Sequence, residues 1–213
     1  MNTVTIERLA DLFSEVGKRF AENAELLCEM DSRMGDGDLG LTMKKGFESL
    51  PEIIKAQNEE NIGKTLRRAG MEMTDVVPST MGMLMGTGVA YGGKALGDKA
   101  EIDAEGLVLF LEGFSEGIIK RGKCAKGDRT VLDAVATAAE RAREAISVSP
   151  ELSLLDTARI AYEGATEGVE ATKSMVPKFG KAAVHANVAA GVADQGAVAG
   201  MIMVKGIYDY ISK

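Results

Sequence analysis

The sequence predicts an all-α fold, and three observations carry that prediction. Apolar residues make up 46% of the 213 positions, with only 5% aromatic residues and no tryptophan, a balance rich in Ala, Leu, Met and Glu that favours closely packed helices. Val and Ile never form the long alternating runs that a half-buried strand requires. Apolar residues instead recur at threes and fours along most of the chain, the period of one helical face. No Pro/Gly/Ser-rich linker divides the sequence, so a single domain spanning residues 1–213 is expected.

Eight helices follow in order. The first runs from Thr5 to Met30 on Ile6, Leu9, Phe13, Val16, Phe20, Leu27 and Met30, with Ala24 filling the one wide gap. A Gly- and Asp-rich stretch then separates it from a second, on Met43, Phe47, Leu50 and Ile54, which runs to about Gln57. Asn61 is the N-cap expected for a third, carrying Ile62, Leu66, Ala69 and Met73. Pro78-Ser79-Thr80-Met81-Gly82 interrupts the pattern and supplies capping hydroxyls for a fourth, whose Met83, Leu84, Gly86, Gly88 and Ala90 let another backbone approach. Gly97-Asp98 closes it, and Asp103 caps a fifth with Leu107, Phe110, Leu111, Phe114 and Ile118 inward, ending near Arg121-Gly122. The loop from Gly122 to Thr130 leads to a sixth on Val131, Val135, Ala138, Ala142 and Ile146. Ser149-Pro150 and Ser153 signal a seventh, reaching about Ser174. Met175 to Gly196 is Gly- and Ala-rich with weak periodicity, and the eighth begins near Asp194 on Val198, Met201, Ile202, Val204 and Tyr208.

Short connections force antiparallel neighbours, so the helices should alternate up and down. The connections after the first, third, fifth and seventh helices then share one end. They hold the aspartate-rich stretch, Pro78 to Gly82, Gly122 to Thr130, and Met175 to Gly196, whereas the other end has plain turns near Asn58-Glu59, Gly97 to Asp103 and Val148 to Pro150. One pole is chemical and the other structural.

The chemical pole centres on Asp31-Ser32-Arg33-Met34-Gly35-Asp36-Gly37-Asp38-Leu39-Gly40. Asp36 and Asp38 sit two apart, so both carboxylates can point one way, and Asp31 stands where the preceding helix should end. Three convergent hard oxygen ligands suit magnesium or calcium. Gly40 lies at a helix start, where free backbone N–H groups attract phosphate. Gly35, Gly37 and Gly40 match G-x-G-x-x-G, but a helix precedes them and two carboxylates inside the loop would repel a bare pyrophosphate. The twelfth position from Asp36 is Phe47 rather than a bidentate Glu, which argues against an EF-hand. The plain alternative is an acidic turn capping two helices.

A metal cluster beside helix N-termini, with Ser79, Thr80 and Thr130 nearby, is equipment for holding a nucleotide's phosphates. ADP carries about three negative charges and the aspartates about three more, so roughly two Mg²⁺ ions are needed before the two meet. Lys181 or Arg129 would offset the remainder. A net charge of −7 argues against nucleic acid or an anionic membrane as partner. The N-terminus has no signal-peptide pattern and no apolar run approaches a membrane span, so a cytoplasmic protein is expected, with Cys28 and Cys124 as reduced thiols. His185 is the sole histidine, and no Ser-His-Asp relay can be assembled. Phosphoryl transfer needs mainly positioning and charge neutralisation, so the acceptor must come from a partner subunit docking on this pole.

Met34 to Met43 with Asp31 upstream, Arg121-Gly122-Lys123, Gly127 to Asp133, Gly180-Lys181-Ala182 and Asp194 to Ala197 resemble, in order, segments of the nucleotide-binding L subunit of dihydroxyacetone kinases. The resemblance covers nearly the whole chain. It implies eight antiparallel helices closed into a barrel, with Mg-ADP or Mg-ATP at one end. It implies that Asp31, Asp36 and Asp38 hold two Mg²⁺ ions, and that Leu39, Gly40, Leu41, Thr42, Thr80, Met81, Gly122, Val131, Lys181, Asp194, Gln195 and Gly196 line the nucleotide site. It further implies that a phosphocarrier (M) subunit of the sugar phosphotransferase system recharges ADP, and that the phosphoryl group passes to dihydroxyacetone, or a related short ketose, on a K subunit. The oligomeric state stays open, a homodimer included.

Several positions depart from the family pattern. Leu39 stands where histidine is common, Thr42 where asparagine is, Thr80-Met81-Gly82 where a small-Ser-Gly triplet is, and Gln195 where the Asp-Pro-Gly triplet has its proline. Lys181 replaces an arginine, turning a bidentate clamp into a point charge. These departures motivate an alternative, a nucleotide-loaded regulatory partner of a transcription factor or K-like protein without turnover. A related kinase domain acting on fatty acids is disfavoured by the lack of the further domains such proteins carry.

Overall fold

The computed structural model describes residues 2–57, 61–184 and 190–213, with Lys181 and Ala182 described by backbone alone. It is all-helical, as expected from the sequence. The helices are α1 (Ile6–Glu22), α2 (Ala24–Ser32), α3 (Leu39–Ala56), α4 (Ile62–Val76), α5 (Thr80–Leu96), α6 (Ala104–Gly122), α7 (Val131–Val148), α8 (Leu154–Thr172), α9 (Gly180–Val184) and α10 (Gln195–Ile211). Two short strands, β1 (Val4–Thr5) and β2 (Glu101–Ile102), pair antiparallel with Val4 opposite Ile102, a ribbon that the periodicity had not signalled. No helix among the described residues is long and apolar enough to cross a membrane. Cys28 and Cys124 are both free thiols.

Local chemistry explains most helix starts. The side chains of Asn61, Ser79, Asp103, Ser153 and Asp194 accept from the backbone N–H of Lys64, Gly82, Gly106, Asp156 and Ala197 respectively. Thr130 begins α7 with a capping box: its hydroxyl accepts from Leu132 N at 3.2 Å, while Asp133 Oδ2 accepts from Thr130 N at 2.7 Å.

The neighbour relation runs round a ring. Each of α1, α3, α4, α5, α6, α7, α8 and α10 packs on the next, and α10 packs on α1. Neighbours run antiparallel. A side-chain carbon at Gly63 would stand 2.3 Å from Gly97 O, and one at Gly70 would stand 2.4 Å from Ala90 N, so rising numbers on α4 meet falling numbers on α5. Such spacing leaves no room for side chains, and it is why this wall is built on glycine. Elsewhere the interior is filled by Leu9, Phe13, Leu27, Met43, Leu50 and Phe114, all buried, while Phe20 stacks on Phe47 with ring centroids 4.4 Å apart and joins α1 to α3.

The single long helix expected over Thr5–Met30 is instead broken at Asn23, between α1 and α2. Asn23 turns its amide back on its own helix, donating from Nδ2 to Arg19 O at 2.8 Å, and its backbone departs from helical values at φ −110° and ψ 9°. The break serves a crossing, because the first turn of α3 lies on the Ala24 carbonyl: a Cβ at Gly40 would come within 1.8 Å of Ala24 O. A hydrophobic period sees only the face a residue presents, so it passes over such a break.

Gly40→Ala should therefore force α2 and α3 apart. Urea unfolding should show a loss of about 1–3 kcal/mol, the range for overpacking a tight contact, and an unchanged midpoint would contradict the crossing.

Candidate functional site

The four connections expected at the chemical pole do meet there. They surround a cleft of ≈ 300 Å³ lined by residues from all four, among them Asp31, Asp36, Thr80, Thr130, Phe179 and Asp194. That size is at the small end for ligand sites, which span roughly 300–1,000 Å³.

The N-terminal residues of four helices, Leu39 of α3, Thr80 of α5, Val131 of α7 and Gln195 of α10, all line it. Up-and-down topology brings alternate helix starts to one end, so four positive dipole ends face one space, a setting that favours an anion. At α5, α7 and α10 a cap side chain occupies one backbone N–H, but Asp38 at the start of α3 makes no such bond and keeps its carboxylate for another partner.

The three aspartates come together as expected. One ligating oxygen from each of Asp31, Asp36 and Asp38 lies within 4.8 Å of the others. Asp31 is buried and the other two are exposed. Two oxygens on a single Mg²⁺ at about 2.0–2.1 Å stand at most about 4.2 Å apart, so small rotations of the exposed pair bring the trio into range. The oxygen-only donor set fits a hard divalent cation. The glycines make the loop: a Cβ at Gly35 would strike Asp31 Oδ1 at 2.2 Å, and Gly37 takes φ +77° so that its N–H reaches Asp31 Oδ2 at 2.8 Å. Asp31 Oδ1 accepts from Gln195 Nε2 at 3.4 Å, which ties the trio to α10.

On the opposite wall the loop between α6 and α7 is held by buried acids. Asp133, fully buried, accepts from Gly127 N at 2.5 Å as well as from Thr130 N. Asp128 accepts from Ala125 N at 2.7 Å and from Lys178 Nζ at 2.5 Å, and the Lys178 ammonium holds its carboxyl below the usual range. Arg129, read from sequence as a cation to offset phosphate charge, borders the cleft but is buried in structural bonds. It donates from Nε to Thr172 O at 3.3 Å and from Nη2 to Val192 O at 2.9 Å, and its Nη1 lies 3.6 Å from Asp194 Oδ1. Burial pushes the Asp194 carboxyl up to about 6, against the pull of the Ala197 N–H and of Arg129. Burial likewise raises the Cys124 thiol.

Of the nucleotide-site residues expected from sequence, Leu39, Thr80, Met81, Val131, Asp194, Gln195 and Gly196 line the cleft. Gly40, Leu41, Thr42 and Gly122 do not. Gly40 lies against Ala24, Leu41 points outward at 64% exposure, Thr42 donates its backbone N–H to Asp38 O, and Gly122 stands behind Leu84. The Lys181 side chain, together with His185, Asn58 and Glu59, lies outside the described residues. Sequence reasoning missed Leu84 and Phe179. Leu84 carried a signal as one of the apolar face of the fourth helix, whereas Phe179 sits in an aperiodic stretch and carried none.

Residues 33–209 match the family model of the DAK2 domain. Over 120 residues the chain is 37% identical to the PEP-dependent dihydroxyacetone kinase 1, ADP-binding subunit DhaL, of Listeria innocua, an alignment covering 56% of this chain and 60% of that one. It is 27% identical over 198 residues to the corresponding ADP-binding subunit DhaL of Escherichia coli, covering 93% of each. With the D-erythrulose kinase of Mycolicibacterium smegmatis it shares 28% identity over 96% of its own length but only 35% of that protein. The crystal structure of the dihydroxyacetone kinase from C. freundii in complex with AMP-PNP and Mg²⁺ superposes with a TM-score of 0.69 at 22% identity, covering 96% of this chain and 34% of that one, and this likeness carries the fold. On the match across 33–209, with the helical ring and the aspartate loop at its mouth, the chain belongs to the DAK2 domain family.

Proposed function

We propose that this chain is the nucleotide-binding subunit of a dihydroxyacetone kinase, acting as one domain that presents Mg-ADP or Mg-ATP to a ketose held by another subunit. The observation that carries the reading is the convergence of Asp31, Asp36 and Asp38 at a cleft ringed by four helix starts. Cations supply neutralisation of the phosphate charge and in-line positioning of the transferred group. The chain's own residues do the rest. Asp31, Asp36 and Asp38 hold two Mg²⁺ ions. The N-terminal turns of α3, α5, α7 and α10 would offer N–H groups to the phosphates, and Lys181, whose side chain lies outside the described residues, would add a point charge. Leu39, Met81 and Val131 form an apolar wall for the rest of the nucleotide, beside Thr80, Asp194, Gln195 and Gly196. Gly40 and Leu41 serve through their backbone N–H groups in the first turn of α3, Thr42 by closing that turn onto Asp38 O, and Gly122 by backing Leu84.

The names of the Listeria and E. coli relatives, which give a PEP-dependent kinase and an ADP-binding subunit, support ADP as a resident carrier. On this reading a phosphocarrier M subunit recharges it and a K subunit bears dihydroxyacetone. Docking of a second protein at the mouth is supported by apolar side chains left exposed: Leu41 at 64%, Val176 at 68% and, on the rim, Phe179 at 41%.

Asp36→Ala and Asp38→Ala should each lower ketose phosphorylation at least 100-fold when K-type and phosphocarrier partners are supplied. Both side chains are exposed, so the ligand-free melting temperature should stay within a degree or two. Transfer at the wild-type rate would sink the metal assignment. Native mass spectrometry of gently purified protein should find ADP with magnesium, and EDTA treatment should strip the magnesium and weaken the hold on ADP.

Asp194 makes the same wall sensitive to pH. Its folded pKa, about 6, lies above its ordinary value of 3.8. Between these values the folded chain holds a proton that the unfolded chain lacks, so the stability cost present above about pH 6 is relieved as pH falls toward 4. Wild type should gain stability relative to Asp194→Asn between pH 7 and pH 4.5 in denaturant titrations. A constant gap would mean that Arg129 keeps the carboxylate ionised throughout.

A further inference from the structure

Gln195 occupies the first turn of α10 on the cleft wall, beside the buried member of the aspartate trio. Its two amide atoms have different situations. Nε2 donates to Asp31 Oδ1 at 3.4 Å, while Oε1 is buried without a hydrogen-bond partner among the described residues. A buried acceptor left unmade is costly and calls for a donor that arrives with the ligand. Turning the amide over would not relieve it. The oxygen would then face the Asp31 carboxylate, two acceptors with no proton between them.

The place of the orphan oxygen says which donor suits it. Oε1 lies one amide width from an atom already touching Asp31, which is one of the three carboxylates read above as cation ligands. A hard cation such as Mg²⁺ keeps several waters at about 2.0–2.1 Å. Such a water donates over about 2.8 Å, so an ion on Asp31 reaches an acceptor roughly 5 Å away through one of them. Asp31 can bear both roles, because a carboxylate offers about four lone-pair sites and the described bonds from Gly37 and Gln195 use two.

We propose that Gln195 is a positioning residue of the cation site: Nε2 orients Asp31, and Oε1 accepts from a water carried by the bound ion. The proposal rests on the magnesium reading of Asp31, Asp36 and Asp38 and adds to it a group from the far end of the chain. It gives a physical use to the residue that stands where the family pattern has proline.

The test is a calorimetric titration of MgCl₂ into the full-length chain, stripped of metal and nucleotide and resupplied with saturating ADP. Gln195→Leu, of similar volume, removes donor and acceptor together and should weaken Mg²⁺ binding about 10-fold, the lower end of what lost outer-shell partners cost. That loss should exceed any loss of ADP affinity in EDTA. Gln195→Glu keeps an acceptor and adds charge, and should bind Mg²⁺ at least as tightly as wild type. Melting temperatures in EDTA report whether each variant folds. A Gln195→Leu titration that superposes on wild type overturns the proposal, as does a loss of ADP affinity equally large without Mg²⁺. Asp36→Asn separates the two levels. If it loses Mg²⁺ while Gln195→Leu does not, only the role of Gln195 falls; if it binds Mg²⁺ as wild type does, the magnesium reading itself falls.

Discussion

Three carboxylates within 4.8 Å of one another repel, and the end of the helical ring that holds them is built around that repulsion. Water screens the exposed Asp36 and Asp38, but Asp31 is buried and depends on the Gly37 N–H and the Gln195 amide for its stability. The remaining imbalance is met by the positive ends of four helices. The mouth is acidic at its aspartate loop and bordered by four helix N-termini, a pairing that suits a metal-bound polyphosphate.

The ring makes that pairing possible. In an up-and-down bundle every second helix starts at the same end, so α3, α5, α7 and α10 bring four N-termini together with no long crossover. The cost falls on packing, because neighbouring helices must approach closely while leaving space at the mouth. Gly63 and Gly70 against α5, and Gly40 against α2, are where the chain meets that demand by removing side chains. Apolar side chains fill the interior below, and the aromatic stack of Phe20 on Phe47 lies between α1 and α3.

The far wall is a different solution to the same problem of holding loops still. Lys178 closes on Asp128, Asp133 gathers two backbone N–H groups of its own loop, and Arg129 spans from α8 to the segment before α10. Buried polar groups of this sort are stable only when satisfied together. Arg129 is therefore more a strut than a phosphate ligand, and its partner Asp194 caps α10 from a position where burial favours the protonated acid.

Much of this was legible in the residues alone, and the division follows the range of the forces. Helix periods, the caps at Asn61, Ser79, Asp103, Ser153 and Asp194, and the aspartate trio arise within a few residues, so sequence determined them, and the gathering of four connections at one pole followed from short loops. Tertiary structure decided what depends on neighbours far along the chain. It placed the break at Asn23 under α3, turned Leu41 outward and Gly122 behind Leu84, brought Phe179 to the rim, and sank Arg129 into structural bonds. Above all it set Gln195 against Asp31 across 164 residues. Spacing cannot reveal such a contact, because it exists only when α2 and α10 meet.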